Sequence, residues 1–248
     1  MAREITLTEQ EKTLRQLLLD VSDYIGHQSG YTKPELRFTG GWVRDKLIGT
    51  ASKDIDIGIS SMTGYQFGTL MKQYLADPKR ETKYGQDVLG GLAKIEANPE
   101  KSKHLETVTT KILGLEIDLV NLRKETYVED SRNPTMDFGS PKDDALRRDA
   151  TVNALFYNLT TSEVEDFTER GLADMSSEII RTPHSPYQTF KDDPLRILRC
   201  IRFASKLGYS IDPGAQLSMG NGDIKEALRV KITRERVGIE IEKTLRGR

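Results

Sequence analysis

The segment from Gly40 to Ile59 constrains this chain more than any other. Leu36-Arg37-Phe38-Thr39 has an extended character, Gly40-Gly41 makes a turn, and Trp42 to Ile48 can form a short helix closed by Gly49. A glycine pair at a helix N-terminus lets backbone N–H groups and the helix dipole come close to a phosphate. In Asp54-Ile55-Asp56-Ile57-Gly58-Ile59, a period of two puts both aspartates on one face and the isoleucines on the other. Like charges side by side on a strand repel, and aspartate is depleted from strands in any case. A divalent cation removes the conflict, and oxygen-only ligands suit Mg²⁺. Alone, Gly-Gly is an ordinary turn and Asp-x-Asp an ordinary exposed edge. Joined at this spacing through Arg44 and Asp45, they point to metal-assisted transfer of a nucleotide.

The rest of the composition sets bounds. The 248 residues allow one large domain or two modest ones, and 36% hydrophobic with 30% charged residues fits a soluble globular chain. No apolar run reaches the length of a membrane span, so no membrane partner is expected. The acidic N-terminus lacks the apolar core of a signal peptide and the Arg-rich character of a transit peptide. Cys200 is the one cysteine, which excludes an internal disulfide and favours a reducing, intracellular compartment: cytoplasm, nucleus or mitochondrion. His27, His104 and His184 are too scattered for a zinc pattern. A formal net charge of −1 conceals an asymmetry, because residues 191–248 hold 13 Lys/Arg against 8 Asp/Glu and the remainder 24 against 30. Such a basic segment can face a polyanion, although a solvated charged surface is the commoner explanation for so modest an excess.

Leu14, Leu17, Leu18, Val21 and Ile25 recur at helical spacing, predicting a helix over residues 7–25. Tyr65 to Tyr74 reads as helical, and Leu105 to Ile112 and Leu115 to Leu122 as strands joined near Gly114. Lys124 to Lys142 is polar and broken by Pro134, Gly139 and Pro141, the signature of a long loop. Val164 to Phe167 reads as a strand. Beyond Pro183 the pattern becomes helical, over Asp193 to Leu207, around Ile224 to Val230, and over Arg234 to Leu245. The expected architecture is an α/β head over residues 1–178, a mixed sheet with helices, followed by an α-helical segment over 179–248.

Two further clusters carry chemistry. In Asp144-Ala-Leu-Arg147-Arg148-Asp149-Ala-Thr-Val-Asn153, adjacent arginines project differently and can hold a triphosphate or another polar part of a site. Asp149 and Asn153, four apart, would share a helical face and meet ribose hydroxyls. Alone, the cluster reads better as a charged helix start capped by Asp144. In Asp192-Asp193-Pro194-Leu195-Arg196, Pro194 at the first helical position with Asp193 as N-cap makes a sound helix start. Leu195, Ile197, Leu198, Ile201 and Ala204 supply a buried stripe, and Arg196, Arg199, Arg202 and Lys206 a basic face. A carboxylate only accepts hydrogen bonds and a guanidinium only donates. An Asp–Arg pair therefore matches the amino donor and ring-nitrogen acceptor shared by cytosine and adenine, and leaves uracil and guanine mispaired at a cost of about 1–3 kcal/mol per group.

The Gly-Gly-x-Val-Arg-Asp and Asp-x-Asp residues resemble the nucleotidyltransferase superfamily that includes DNA polymerase beta. With Arg-Arg-Asp-x-Thr-x-Asn-Ala, Asp-Asp-Pro-Leu-Arg and the late Arg234-Glu235-Arg236-Val237-Gly238-Ile239-Glu240, they follow the order of class II CCA-adding tRNA nucleotidyltransferases. The chain is most similar to the fungal branch, including the segment from Asn98 to Thr107. The resemblance implies that Asp54 and Asp56 bind two Mg²⁺ ions that activate the tRNA 3′-hydroxyl and steady the leaving pyrophosphate. It places Gly40, Gly41, Arg44 and Asp45 in the phosphate and metal site, and Asp149 with nearby Arg148 at the ribose and phosphates of CTP or ATP; Arg147, Asn153 and Arg199 are the other candidate nucleotide-binding residues of these clusters. Asp193 and Arg196 would read the incoming base, with Asp192 orienting Arg196; bacterial relatives usually have glutamate where Asp192 stands. Arg123 to Asp143 takes the place of the loop that helps switch from C to A addition. Asp166-Phe-Thr-Glu-Arg-Gly171 keeps one glycine of the usual hinge pair, and Asp118 is a candidate third carboxylate. Body and tail domains that grip tRNA are expected to be absent, leaving head and neck. Addition of CC or A alone, poly(A) polymerase activity, or a non-catalytic nucleotide- or RNA-binding module are the alternatives, and Asp54 with Asp56 argues against the last.

Overall fold

The computed structural model describes residues 4–52, 54–95, 107–126 and 135–247. In chain order the elements are α1 (Glu9–Gly26), β1 (Leu36–Thr39), α2 (Gly41–Leu47), β2 (Asp54–Ile59), α3 (Gly64–Leu75), α4 (Pro78–Tyr84), β3 (Ala93–Ile95), β4 (Thr107–Ile112), β5 (Leu115–Asn121), β6 (Arg123–Thr126) and β7 (Thr135–Phe138). They continue with α5 (Pro141–Leu146), a 3-10 turn (Thr151–Asn153), β8 (Phe156–Asn158), β9 (Val164–Glu165), α6 (Gly171–Ser176), β10 (Ile179–Ile180), α7 (Pro186–Asp192), α8 (Leu195–Leu207), β11 (Ser210–Ile211), α9 (Pro213–Met219), α10 (Gly222–Lys231) and α11 (Arg234–Leu245).

The contacts divide the chain into two compact units, and the division is not the single cut at 178/179 that the change of pattern predicts. The first takes residues 1–124, 136–140 and 156–165; the second takes 125–135, 141–155 and 166–248. The reason lies in where the middle segments find partners. Phe156–Asn158 returns to pair with β1, whereas Thr151 N–H donates to the Arg181 carbonyl at 2.8 Å.

The first unit is built on a seven-stranded mixed sheet ordered β3-β4-β5-β2-β1-β8-β9. β2 and β5 run parallel, and β1 pairs antiparallel with both β2 and β8. One apolar row crosses it through the register partners Phe38, Ile57 and Leu119, all buried. α1 and α3 cover this part of the sheet. α1 starts at a capping box, in which the Thr8 hydroxyl accepts from Glu11 N–H and the Glu11 carboxylate accepts from Thr8 N–H at 2.7 Å. Its buried Leu14, Leu17, Leu18, Val21 and Ile25 are those the periodicity selects. Asp20 on the same helix accepts from Tyr84 Oη at 2.6 Å and Tyr74 Oη at 3.2 Å, and pairs with Lys83, tying α3 and α4 back to α1.

The second unit is mainly helical. α8 packs on α11, α7 packs on α8, α9 and α10, and the short parallel pair β10–β11 lies against α8. The predicted helix over 193–207 forms as α8 and that over 234–245 as α11. α4, α7 and α9 went unanticipated, although Asp77-Pro78, Ser185-Pro186 and Asp212-Pro213 place proline at the first helical position just as Asp193-Pro194 does. The predicted loop from Lys124 to Lys142 is partly regular: β6 runs to Thr126, β7 and α5 occupy its end, and residues 127–134 lie outside the described set. So does most of the fungal-like stretch from Asn98, including Leu105 of the strand predicted over 105–112. Among the described residues no helix is long and apolar enough to cross a membrane.

Candidate active site

In the first unit the chain turns at Gly40, whose φ of 74° and ψ of −136° suit glycine and strain any other residue. α2 begins at once with Gly41. Trp42 is buried edge-on against Phe38 at 4.7 Å between ring centroids, which anchors the helix to β1. Arg44 and Asp45 are both buried and clasp each other, Nε at 2.8 Å and Nη2 at 2.6 Å from the same Asp45 oxygen. The Arg44 fork also lies 3.4 Å from where a Cβ on Gly41 would stand, so the two glycines, the arginine and its aspartate form one local cluster.

Asp54 and Asp56 project from the same face of β2, as the alternation requires, Asp54 exposed and Asp56 half-buried. The parallel register with β5 sets Glu116 beside Asp54 and Asp118 beside Asp56. Across the sheet this face reads Thr39, Asp56, Asp118, Thr109. The Thr109 hydroxyl donates to Asp118 at 2.6 Å, and Lys111 stands 4.0 Å from Glu116. Among the described residues no group of three or more His, Cys, Asp or Glu is placed to hold a metal ion, which leaves the aspartate pair of β2, Asp54 and Asp56, as the candidate ligands. That donor set fits Mg²⁺, which is usually held by one or two carboxylates together with substrate phosphates and water.

In the second unit, Arg147 and Arg148 do not diverge. Asp144, buried inside α5 and therefore no helix cap, takes Arg147 on one oxygen (Nε 2.8 Å, Nη2 2.5 Å) and Arg148 on the other (Nε 3.1 Å, Nη2 2.8 Å). Arg148 also donates to the Asn153 carbonyl at 3.1 Å, and Arg147 to Glu125 at 3.2 Å. Burial pushes the Asp144 carboxyl up, but the two guanidinium charges outweigh it and hold it at about 2.

Asp149 and Asn153 do not share a helix either, because Ala150 between them is extended (φ −144°, ψ 143°). The 3-10 turn nevertheless brings Asn153 Nδ2 to 3.3 Å from Asp149. Arg199 reaches the other Asp149 oxygen at 2.5 Å, and burial of Asp149 is again outweighed, leaving its carboxyl at about 2. The turn is held from behind. Thr151 Oγ1 donates to Asp174 at 2.7 Å, Arg181 bridges Asp174 and Asp212, and Gly171 approaches so closely that a Cβ there would lie 2.7 Å from the Thr151 carbonyl. Asp166 shapes that approach by accepting from Thr168 Oγ1 at 2.7 Å and Leu172 N–H at 3.0 Å.

Asp193 caps α8 as expected: its backbone is extended (φ −131°, ψ 95°), its carboxylate accepts from Leu195 N–H at 3.2 Å, and Pro194 is already helical. Arg236 of α11 stands 4.0 Å from the same carboxylate. The expected basic face is largely paired instead. Arg196 meets Glu125 at 3.5 Å, Arg199 meets Asp149, and half-buried Arg202 pairs with buried Glu240 at 2.8 Å. The buried stripe of α8 is Leu195, Ile197, Cys200 and Phe203, with Ile201 turned outward. Asp192 accepts from Gln188 Nε2 at 2.6 Å, and burial raises its carboxyl against that bond and against Arg196. Glu125, Asp174 and Glu240 are partners the sequence did not single out. Only Glu240 belonged to a recognised motif.

The model of the family described as the Poly A polymerase head domain matches residues 36–181, and the chain belongs to that family. A nucleotidyltransferase named lcsQ from Purpureocillium lilacinum is 54% identical over 99% of this chain and 42% of its own length. A mitochondrial CCA tRNA nucleotidyltransferase from Saccharomyces cerevisiae is 53% identical over 99% of this chain and 45% of its own length. A solved CCA-adding enzyme in complex with ATP superposes with a TM-score of 0.71 at 25% identity, covering 97% of this chain and 48% of that one. The chain thus spans less than half the length of each of these three relatives.

Proposed function

We propose that this chain carries the catalytic head and neck of a CTP- and ATP-dependent tRNA nucleotidyltransferase that adds C, C and A to tRNA 3′ ends without a nucleic-acid template. The observation that carries the reading is the pair of aspartates on the open face of β2, flanked in register by two more carboxylates. The similarity to enzymes named for CCA addition supports the substrate class. By the same likeness, the mitochondrion is one compartment in which it would act.

Asp54 and Asp56 are the residues that would hold Mg²⁺, with Asp118 as the candidate third carboxylate beside Asp56. Bound there, Mg²⁺ supplies charge neutralisation at the triphosphate and a lowered pKa for the attacking hydroxyl. The glycine turn at Gly40-Gly41 offers backbone N–H groups to a phosphate, and Arg44 with Asp45 keeps that turn in shape. In the helical unit, Arg147 and Arg148, set by Asp144, present cationic edges to phosphate oxygens. Asp149, held ionised by Arg199, accepts from ribose hydroxyls. Asp193 and Arg196 at the start of α8 read the base edge that C and A share.

The test is incubation with tRNA lacking CCA, each NTP separately and together, and Mg²⁺, followed by sequencing of the 3′ ends. Ordered incorporation of C, C and A is the expected result. Addition of A alone, or of CC alone, would replace full CCA activity with a partial one, and no incorporation by a folded protein that binds NTP would leave a binding module.

A further inference from the structure

We propose that Asp174 is a positioning residue for the ribose site: through Thr151 it fixes Asp149, and so sets the preference for ribonucleotides over 2′-deoxyribonucleotides without touching the nucleotide. The inference rests on the assignment of Asp149 as an acceptor for ribose hydroxyls. Asp174 lies on α6 and Thr151 opens the 3-10 turn, and both are buried. Thr151 is gripped twice by the segment behind it. Its Oγ1 donates to Asp174 Oδ2 at 2.7 Å, and its N–H donates to the Arg181 carbonyl at 2.8 Å. The Arg181 guanidinium closes the loop, with Nε 3.1 Å from the other Asp174 oxygen and Nη1 2.5 Å from Asp212, the N-cap of α9. Two hydrogen bonds from one residue fix its rotation as well as its place, and a β-branched side chain has few χ1 alternatives.

From Thr151 the constraint passes to both residues that bracket the turn. Ala150, extended, is the single residue between Thr151 and Asp149. On the other side, Asn153 N–H donates to the Ala150 carbonyl and Ala154 N–H to the Thr151 carbonyl, each at 3.0 Å. Asn153 Nδ2 then returns to Asp149 at 3.3 Å. Arg199 supplies charge to the Asp149 carboxylate from α8, but its long side chain is 40% exposed, so it follows that carboxylate rather than placing it. A hydroxyl-to-carboxylate bond is short and directional. A turn released from Asp174 therefore presents the same carboxylate in a less constant direction.

CTP and dCTP share base and triphosphate and differ only in the 2′-hydroxyl, so the ratio of their affinities separates the ribose contact from a general loosening. The experiment titrates both, with Mg²⁺, into the parent chain, Thr151→Val, Thr151→Ser and Asp149→Ala. Thr151→Val keeps the shape and removes the hydroxyl. Its preference for CTP should fall about tenfold, the order of one hydrogen bond to a charged group, with dCTP affinity near the parent's. Thr151→Ser keeps the hydroxyl and should keep the preference. Parental preference in Thr151→Val, alongside lost preference in Asp149→Ala, would overturn the positioning role alone. Parental preference in Asp149→Ala, or none in the parent, would overturn the ribose assignment and this inference with it. Equal weakening of CTP and dCTP in Thr151→Val would reduce Asp174 to a general structural role. A loss of preference in Thr151→Ser as large as in Thr151→Val would remove the hydroxyl as the cause. If Thr151→Val melts too low to titrate, Asp174→Glu decides, because it keeps the charge for Arg181 but sets the carboxylate one methylene farther out: undiminished preference there rules the role out.

Discussion

Asp56 and Asp118 stand side by side as register partners on two parallel strands, and the Thr109 hydroxyl donates to Asp118 from the far side at 2.6 Å. Unlike Asp118, Asp54 is exposed at the strand start, and it shares its face of β2 with Asp56. Carboxylates gathered like this repel until a cation arrives. Alanine at Asp54 or Asp56 should therefore abolish nucleotide addition while leaving the apo protein as stable as before, or slightly more so. Turnover and thermal melting are measured together. Near-normal turnover in either variant removes the metal assignment.

Asp118 tests the width of the metal site. Asp118→Asn keeps the acceptor for Thr109 but removes a charge beside Asp56. If Asp118 is a third ligand, the Mg²⁺ concentration needed for half-maximal addition should rise by about tenfold or more, as expected when a charged ligand is lost. An unchanged Mg²⁺ requirement would make Asp118 a structural strand residue.

The Asp193 carboxylate has two roles that substitution can separate. Asparagine is as good an N-cap as aspartate, whereas alanine costs about 1 kcal/mol at such a position. Asp193→Asn should melt like the parent yet lose discrimination against UTP and GTP, and Asp193→Ala should lose both. Competition among the four NTPs reads the first effect and melting the second. Full selectivity in Asp193→Asn would move base choice to another residue.

Acid should unfold the helical unit through its buried carboxyls. Asp144 and Asp149 titrate at about 2 in the folded protein against an ordinary value of 3.8. Their stabilisation is fully present above about pH 4 and is lost as pH falls through 2, about 2 kcal/mol for each group by linkage. Helical circular dichroism followed from pH 6 to pH 2 should decline over that window, and a signal flat to pH 2 would contradict it. At neutral pH, Asp149→Ala should cost about 1.5–3 kcal/mol, the worth of a hydrogen bond to a charged group, because Arg199 loses its partner but is 40% exposed and stays solvated.

Gly171→Ala puts a methyl group 2.7 Å from the Thr151 carbonyl and 2.8 Å from Leu155 Cδ2. Forcing the two segments apart should cost about 1–3 kcal/mol and weaken nucleotide binding through the displaced Asp149–Asn153 turn. A variant that melts and binds like the parent would show that the segments yield without effect.

What the sequence revealed was what local spacing controls. Gly40-Gly41, the alternation at Asp54 and Asp56, the cap at Asp193 and the stripe on α1 each follow from a few neighbouring residues, and each forms as expected. The errors arose where partners are chosen across the fold. Helical spacing between Asp149 and Asn153 failed because Ala150 is extended, and the pair meets only because a 3-10 turn folds back. The arginines of α8 read as a basic surface because Asp149, Glu125 and Glu240, which neutralise them, lie on other elements. Nothing near Glu125 in sequence signals that both Arg147 and Arg196 converge on it.

The sharing of Asp144 by Arg147 and Arg148 has a consequence for how this chain can diverge. Replacing either arginine leaves a half-compensated carboxylate in a dry site, and replacing the aspartate leaves two arginines crowded together. Each single step is deleterious, so the three positions can drift only by concerted change, and lineages should keep or lose them as a set.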